Sequence, residues 1–291
     1  MSNELKGKLF NRATGLLVIE AIASNPNGDP DRESDPRQRP DERGEISPVS
    51  FKRKIRDLID NKDGPVWEAI SESFNSALNP ESFVILEKPE RKRDEIKKEI
   101  QNGEFEKKYW DARVFGNTFL EKELDTSVKT GVVQFGLGIS VAPVRIERMT
   151  NTNKAGVQEG KERGMAPLGY RIVQHGVYCM PFFINPTAAC KTGCSKTDIE
   201  VLLKVIPYAY SHTASYIRSF VGLRHAWYIE HKSPLGSCSD FALLDALRPT
   251  KKQYPEQPST SWGDYDYDPP KKLPDNLMAK VASCIDLMQV G

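Results

Sequence analysis

The sequence has almost no net charge: 41 lysines and arginines stand against 40 aspartates and glutamates in 291 residues. A uniformly basic surface is thereby excluded, so any polyanion has to be held by local patches. No run approaches the roughly 18 apolar residues that a membrane-spanning helix needs. The opening "MSNELKGKLF" carries no apolar core of a signal peptide. These absences predict a soluble, unexported, cytoplasmic protein with no membrane partner.

Cysteine is scarce and odd in number, at Cys179, Cys190, Cys194, Cys238 and Cys284, which excludes a dense disulfide framework. Cys190 and Cys194 show C-x-x-x-C spacing, but no second pair completes a zinc set, and they read as free thiols in a loop. The four histidines, His175, His212, His225 and His231, form no H-E-x-x-H pattern. His225 and His231 fall on one face of a strand and read as structural. "FGLGIS" lacks the third glycine of a dinucleotide fingerprint, and neither a P-loop nor a nucleophile elbow occurs. We therefore expect no cofactor, no metal and no catalytic residue.

What is present is enough apolar residue, 38%, to build a real core. "ATGLLVIEAIA" (13 to 23) reads as a buried strand, followed by a long polar loop, "SNPNGDPDRESDPRQRP" (24 to 40). Ser47 can cap a helix with Pro48 in its first turn, and Phe51, Ile55, Leu58 and Ile59 recur at helical spacing. Residues 62 to 126 are heavily charged with alternating signs and read as a solvated helical insertion. Strand chemistry returns in 129 to 144 and in 169 to 184, the latter with a turn near His175 and Gly176. A helix capped by Ser195 runs to Pro207, which ends or kinks it. "RHAWYIEHK" (224 to 232) is the last predicted strand, and residues 249 to 276 meander to a short final helix. Stripped of insertions the order is βαββαβ, a ferredoxin-like α+β fold. In its RNA-recognition form that fold holds single-stranded RNA on an open sheet face and neighbouring loops.

Several patches fit such a ligand. Projection of the 47 to 60 helix at about 100° per residue sets Lys52, Arg53 and Arg56 along a flank of the apolar stripe. In the loop, Asn25 offers both donors and acceptors, and the Asn27–Gly28 turn allows close backbone approach. Asp29, Asp31 and Asp35 lie close in sequence but lack the order of a calcium loop. Residues 129 to 175 hold seven cations (Lys129, Arg145, Arg148, Lys154, Lys161, Arg163 and Arg171) against three acids (Glu147, Glu159 and Glu162). Within them lies a basic, glycine-bearing hairpin where Met149 could wedge between bases.

"LLVIEAIASNPNGDPD", "SFKRKIRDLI", "YWDARVFG", "GVVQFGLGISVAPV" and "LRHAWYIEHKSP" together resemble the Cas-seven family of CRISPR-associated backbone subunits, most closely its type I-C Cascade form. The resemblance implies a hand: a ferredoxin-like palm (10–61, 127–143 and 170–250), helical fingers (62–126), a β-hairpin thumb (144–169) and a C-terminal extension (251–291) packed on the palm. It implies copies stacked head to tail along CRISPR RNA, with the guide pairing to target double-stranded DNA in an R-loop. Large, small and guide-processing Cascade subunits would be neighbours, and a helicase-nuclease would be recruited indirectly. Ser24, Asn25, Asn27, Gly28, Lys52, Arg53 and Arg56 would hold guide phosphates, and Arg145, Arg148, Met149 and Lys154 would belong to the thumb. The type I resemblance implies a non-catalytic subunit. The alternative is a metal-dependent RNA endonuclease using Asp29 or Asp35.

Overall fold

The computed structural model describes residues 10–89, 92–116, 130–154, 165–267 and 271–289, with backbone alone for 151–154 and 165–168. Strand β1 (Ala13–Ser24) is buried almost throughout, because apolar residues occupy both of its faces. Leu17, Ile19 and Ala21 enter one core, and Leu16 and Val18 enter another. After β1 come the short strands β2 (Gly28–Asp29), β3 (Asp35–Pro36) and β4 (Arg43–Ile46). Helix α1 (Pro48–Asp60) starts where the Ser47 side chain accepts from the Ser50 amide, with Pro48 in the first turn. Its Phe51, Ile55, Leu58 and Ile59 fill the first core.

Helices α2 (Pro65–Glu72), α3 (Arg93–Gln101), α4 (Phe105–Lys108) and α5 (Trp110–Phe115) follow, then strands β5 (Val133–Phe135), β6 (Gly138–Pro143), β7 (Ile146–Lys154) and β8 (Met165–Ile184). Helix α6 (Ala189–Thr192) leads to α7 (Lys196–Val205), which opens on a reciprocal capping box between Ser195 and Asp198. A 3₁₀ turn takes over at Ile206–Tyr208, around Pro207. Strand β9 (Val221–His231), helices α8 (Asp240–Leu247) and α9 (Asp275–Met278), strand β10 (Val281–Asp286) and a 3₁₀ turn at Leu287–Gln289 follow. The sheet runs β10-β9-β1-β8-β6-β4, every neighbour antiparallel. Among the described residues, no helix is long and apolar enough to cross a membrane.

Among the described residues, both faces of the central strands of this mixed α/β sheet are covered. Helices α1 and α7 cover one side, while Leu243, Leu247, Tyr265, Tyr267 and Leu273 pack over Leu16, Val18, Val177, Cys179 and Trp227 on the other. A buried polar chain fastens the second layer, since Ser259 Oγ lies 2.7 Å from His175 Nδ1 and Glu20 lies 2.9 Å from His175 Nε2. Any ligand of open-sheet type is therefore displaced to edges and loops.

Four local expectations change. The opening loop is structured: β2 and β3 pair, Arg37 N donates to Asn27 O, and β4 joins the sheet edge. No turn interrupts the chain at His175, because Gly176, with no side chain, leaves room for the Tyr178 ring and Val144. Cys190 and Cys194 are free thiols as expected, but Cys190 sits in α6, and Cys194 is buried in the short connection beyond it. The short helix expected after the meander is present at Asp275–Met278, but it is followed by the unforeseen strand β10, pinned by Asp286 accepting from His225 and the Ala226 amide, and by a 3₁₀ turn at Leu287–Gln289. The helical insertion is also less solvated than its charge suggests. Trp67, Ile70, Phe83, Trp110 and Phe115 belong to the main core, and Leu86, Ile96, Phe105, Tyr109 and Ala112 form a small core of their own.

Candidate nucleic-acid interface

The residues expected to grip a phosphate from the opening loop use their side chains inside the chain. Ser24 Oγ accepts from the Phe220 amide at 3.0 Å. Asn25 donates to Ser34 O at 2.7 Å, and its backbone amide donates to Ile217 O. Asn27 donates to Gly28 O and accepts from the Ser47 amide at 2.7 Å, which couples the loop to the start of α1. Gly28 pairs with Pro36, with Ser34 O 3.0 Å from where its Cβ would stand. These four residues shape the loop. The physical reason is burial: Ser24, Asn25 and Asn27 are almost wholly covered, and apart from Asn25 Oδ1 their polar side-chain atoms find partners locally.

The flank of α1 is likewise not a row of three free cations. Arg56 is 5% exposed, bonded to Asp111 at 3.0 Å and Glu87 at 2.7 Å. Helical projection cannot reveal Asp111, which comes from α5. Lys52 lies 5.1 Å over the Phe115 ring, and burial, then the neighbouring Arg56, push its amine below the ordinary value. Arg53 alone points outward, paired with Asp57 at 2.8 Å one turn on.

The hairpin gives the clearest concentration of accessible charge. β7 and β8 pair from Ile146↔Val173 to Lys154↔Met165, so Lys154 stands at the end of the paired ladder. Arg145 is exposed, with Glu147 at 3.6 Å. Arg148 stands directly opposite Arg171. Both line a cleft of about 370 Å³ with Arg32, Asp35, Gln38 and Ile146. Arg171 is paired with Asp35, and Arg148 has no carboxylate partner among the described residues. Two guanidiniums facing each other across a ribbon raise the local potential and suit a phosphodiester.

A second element closes the site from the other side. The segment Tyr216–Phe220 bonds to the opening loop through Ser24 and Asn25, and Tyr216 meets Tyr170 of the hairpin. The loop and hairpin are thus joined by a stretch that the sequence reading left unassigned. Arg218 lies close enough to Lys54 that burial, then Arg218, pushes the Lys54 amine down to about 8. Arg37 Nε, Arg218 Nε and Asn25 Oδ1 are buried without a hydrogen-bond partner among the described residues. All three sit on the elements that frame this site. The alternation Tyr216, Arg218, Phe220 is the signal that marks the segment in sequence, since aromatic and cationic residues together form nucleic-acid surfaces. Arg32, Gln38 and Tyr170 carry no comparable signal.

Asp29 and Asp35 face each other across the β2–β3 pair. Asp29 accepts from the Asp31 amide, and Asp35 is engaged by Arg171.

A mixed α/β sheet thus carries a long hairpin with exposed cations beside a structured loop. The family model for CRISPR-associated protein Cas7 matches residues 11–269, and the chain belongs to that family. No curated protein sequence matches it significantly. Among solved structures, a chain of a CRISPR RNA-guided surveillance complex is similar at 15% identity, over 84% of this chain and 77% of that one, with a TM-score of 0.47. A chain of a pre-nicking complex of that kind is similar at 13% identity over 75% of each, with a TM-score of 0.47. A chain of the Type III-B Cmr-beta complex bound to cognate target RNA is similar at 12% identity, over 76% and 61%, with a TM-score of 0.38.

Proposed function

We propose that this protein is a non-catalytic backbone subunit of a type I-C Cascade complex. It holds CRISPR RNA by its ribose-phosphate chain, stacks in copies along it, and leaves guide bases to pair with target DNA. Other Cascade subunits flank the stack in the cytoplasm. Family membership supports this reading. The antiparallel order β9-β1-β8-β6, with α1 and α7 as the two helices, supports reading this part of the chain as a ferredoxin-like palm.

The observation that carries it is the cleft where Arg148 and Arg171 face each other beside Arg32. Charge reversal of Arg148 and Arg171 to glutamate is expected to weaken guide-RNA binding about equally for any guide sequence, and to flatten its salt dependence. Unchanged affinity and an unchanged salt slope would refute the proposed contact.

The endonuclease reading draws on the juxtaposition of Asp29 and Asp35. Asp35, however, is committed to Arg171, which leaves Asp29 alone as an available carboxylate of that pair. Incubating the protein with labelled single-stranded RNA and magnesium decides between them. Cleavage lost on Asp29→Ala would establish the nuclease, and an intact strand favours the backbone subunit.

A further inference from the structure

A second cationic cleft lies away from the hairpin. Arg43, Ile139, Val141, Arg248, Pro249 and Pro255 line a space of about 340 Å³ where the β4–β6 edge meets the segment after α8. It is separate from the cleft of Arg148 and Arg171, because Ile146 there packs against the first core and Val141 here against the second. Alternation along β4 turns Gly44 and Ile46 into the protein and leaves Arg43 on the opposite side.

Carboxylates do not balance the charge gathered here. Arg43 Nε stands 4.0 Å from Asp41, which is shared with Arg39 at 3.7 Å. Arg248 is exposed, with the Cys179 thiol beside it. Lys251 Nζ donates to the carbonyls of Tyr254, Gln257 and Pro258, and Lys271 Nζ donates to Arg248 O and Thr250 Oγ1. Neutral oxygens satisfy the hydrogens of an ammonium without cancelling its charge. Among the described residues, none of Arg248, Lys251 and Lys271 forms an ion pair. The wall beside them is also fixed. Lys251 gathers the 254–258 turn around its ammonium, and Tyr254, next to the lining Pro255, is held at φ 48°, a left-handed conformation costly for any residue with a side chain. Strain of this kind persists where the surroundings impose it, and it gathers at ligand clamps.

A few placed cations among apolar walls is the general form of a small-molecule site, and the volume falls at the small end of such sites. Guanidiniums match the oxygens of a phosphate. A phosphate monoester carries close to two negative charges at neutral pH, whereas each phosphate of a nucleic-acid chain carries one. Four cations around one small cleft suit the more highly charged group. Ile139, Val141, Pro249 and Pro255 offer flat apolar surface to a ring attached to it.

We propose that this cleft binds a nucleoside monophosphate, with the phosphate on Arg43 and Arg248 and the base against the apolar wall. The site is independent of the guide-binding reading and lies outside the surface assigned to it.

The test is calorimetric titration of the purified full chain with adenosine 5′-monophosphate, with adenosine, and with a short oligothymidylate lacking terminal phosphates. The monophosphate is expected to bind at least about tenfold more tightly than adenosine. Arg248→Ala and Arg43→Ala should each weaken it about tenfold, with the unfolding midpoint and guide-RNA affinity unchanged. The protein carrying Arg148→Glu and Arg171→Glu should keep full affinity for it. Absence of binding, or equal binding of adenosine and its monophosphate, overturns the proposal. So does binding that survives Arg248→Ala but is lost with the hairpin arginines. Displacement of the monophosphate by the oligothymidylate, sensitive to Arg248→Ala, assigns the cleft to a nucleic-acid backbone and likewise overturns it. Each of these outcomes leaves the guide reading to its own test with RNA.

Discussion

Arg113 and Arg148 are the same residue type in opposite circumstances. Arg113, in α5, is buried with its Nε–Nη2 edge on the two oxygens of Asp198, while Nη1 donates to the carbonyls of Glu106 and Lys107 and Nη2 also to that of Ser82. Arg56 is similarly consumed by Asp111 and Glu87. Arg148 stands in an open cleft opposite a second arginine. The first pair of arginines joins the helical insertion to the sheet domain, so their charge belongs to folding. The second region leaves charge accessible, so its arginines are available to a ligand. Counting cations along a helix or a loop does not separate the two; their carboxylates do.

The largest expected effect tests the buried side. Arg113→Ala leaves Asp198 as an unpaired buried carboxylate and should cost about 3–5 kcal/mol in denaturant unfolding. A loss under about 1 kcal/mol would mean that the insertion does not depend on this pair. Arg56→Ala should likewise lose about 3 kcal/mol by the same measurement, and any fall in RNA binding should track unfolding. Normal stability with lost binding would restore Arg56 to the interface.

Lys54 gives an intermediate test of charge held under cover. Its amine is pushed down to about 8 by burial, then Arg218, against Asp57, which raises it, from an ordinary value of 10.5. Between those pH values the unfolded chain holds a proton that the folded chain lacks, so stability from this group rises with pH and is constant below about 8. Relative to Lys54→Met, wild-type protein should gain on the order of 1–3 kcal/mol between pH 8 and 10.5. A flat difference would show that the cation is well accommodated by Thr213 and the Tyr210 ring. The smallest stability effect is expected for Arg148→Ala, within about 0.5 kcal/mol, while its RNA affinity falls and the salt slope shrinks by about 0.7. A large stability loss there would erase the contrast.

The parts of the fold visible in sequence were those with long periodicity or a cap: β1, α1 and α7 each carry an apolar repeat, and Ser47 and Ser195 mark helix starts. The parts missed are short, polar or at an edge. β2, β3 and β4 are two to four residues long, too short for alternation to register. β10 alternates poorly, because only part of it faces a core. At the site, the hairpin cations were legible as a basic excess. The inward turn of Asn25 and Asn27 was not, since their partners Ser34 and Ser47 are chosen by the folded loop. The role of Arg56 depended on Asp111, 55 residues away.

Alternation sets Arg148 and Arg171 on one side of the β7–β8 ribbon and Met149 and Tyr170 on the other, which constrains how its length can change. Removing one residue from either strand would slide the register and exchange the aromatic side for the charged one while leaving the ladder hydrogen-bonded. Removing two would restore the original sides. Viable relatives of this hairpin should therefore differ in length by even steps, with odd ones absorbed in a bulge or at the tip.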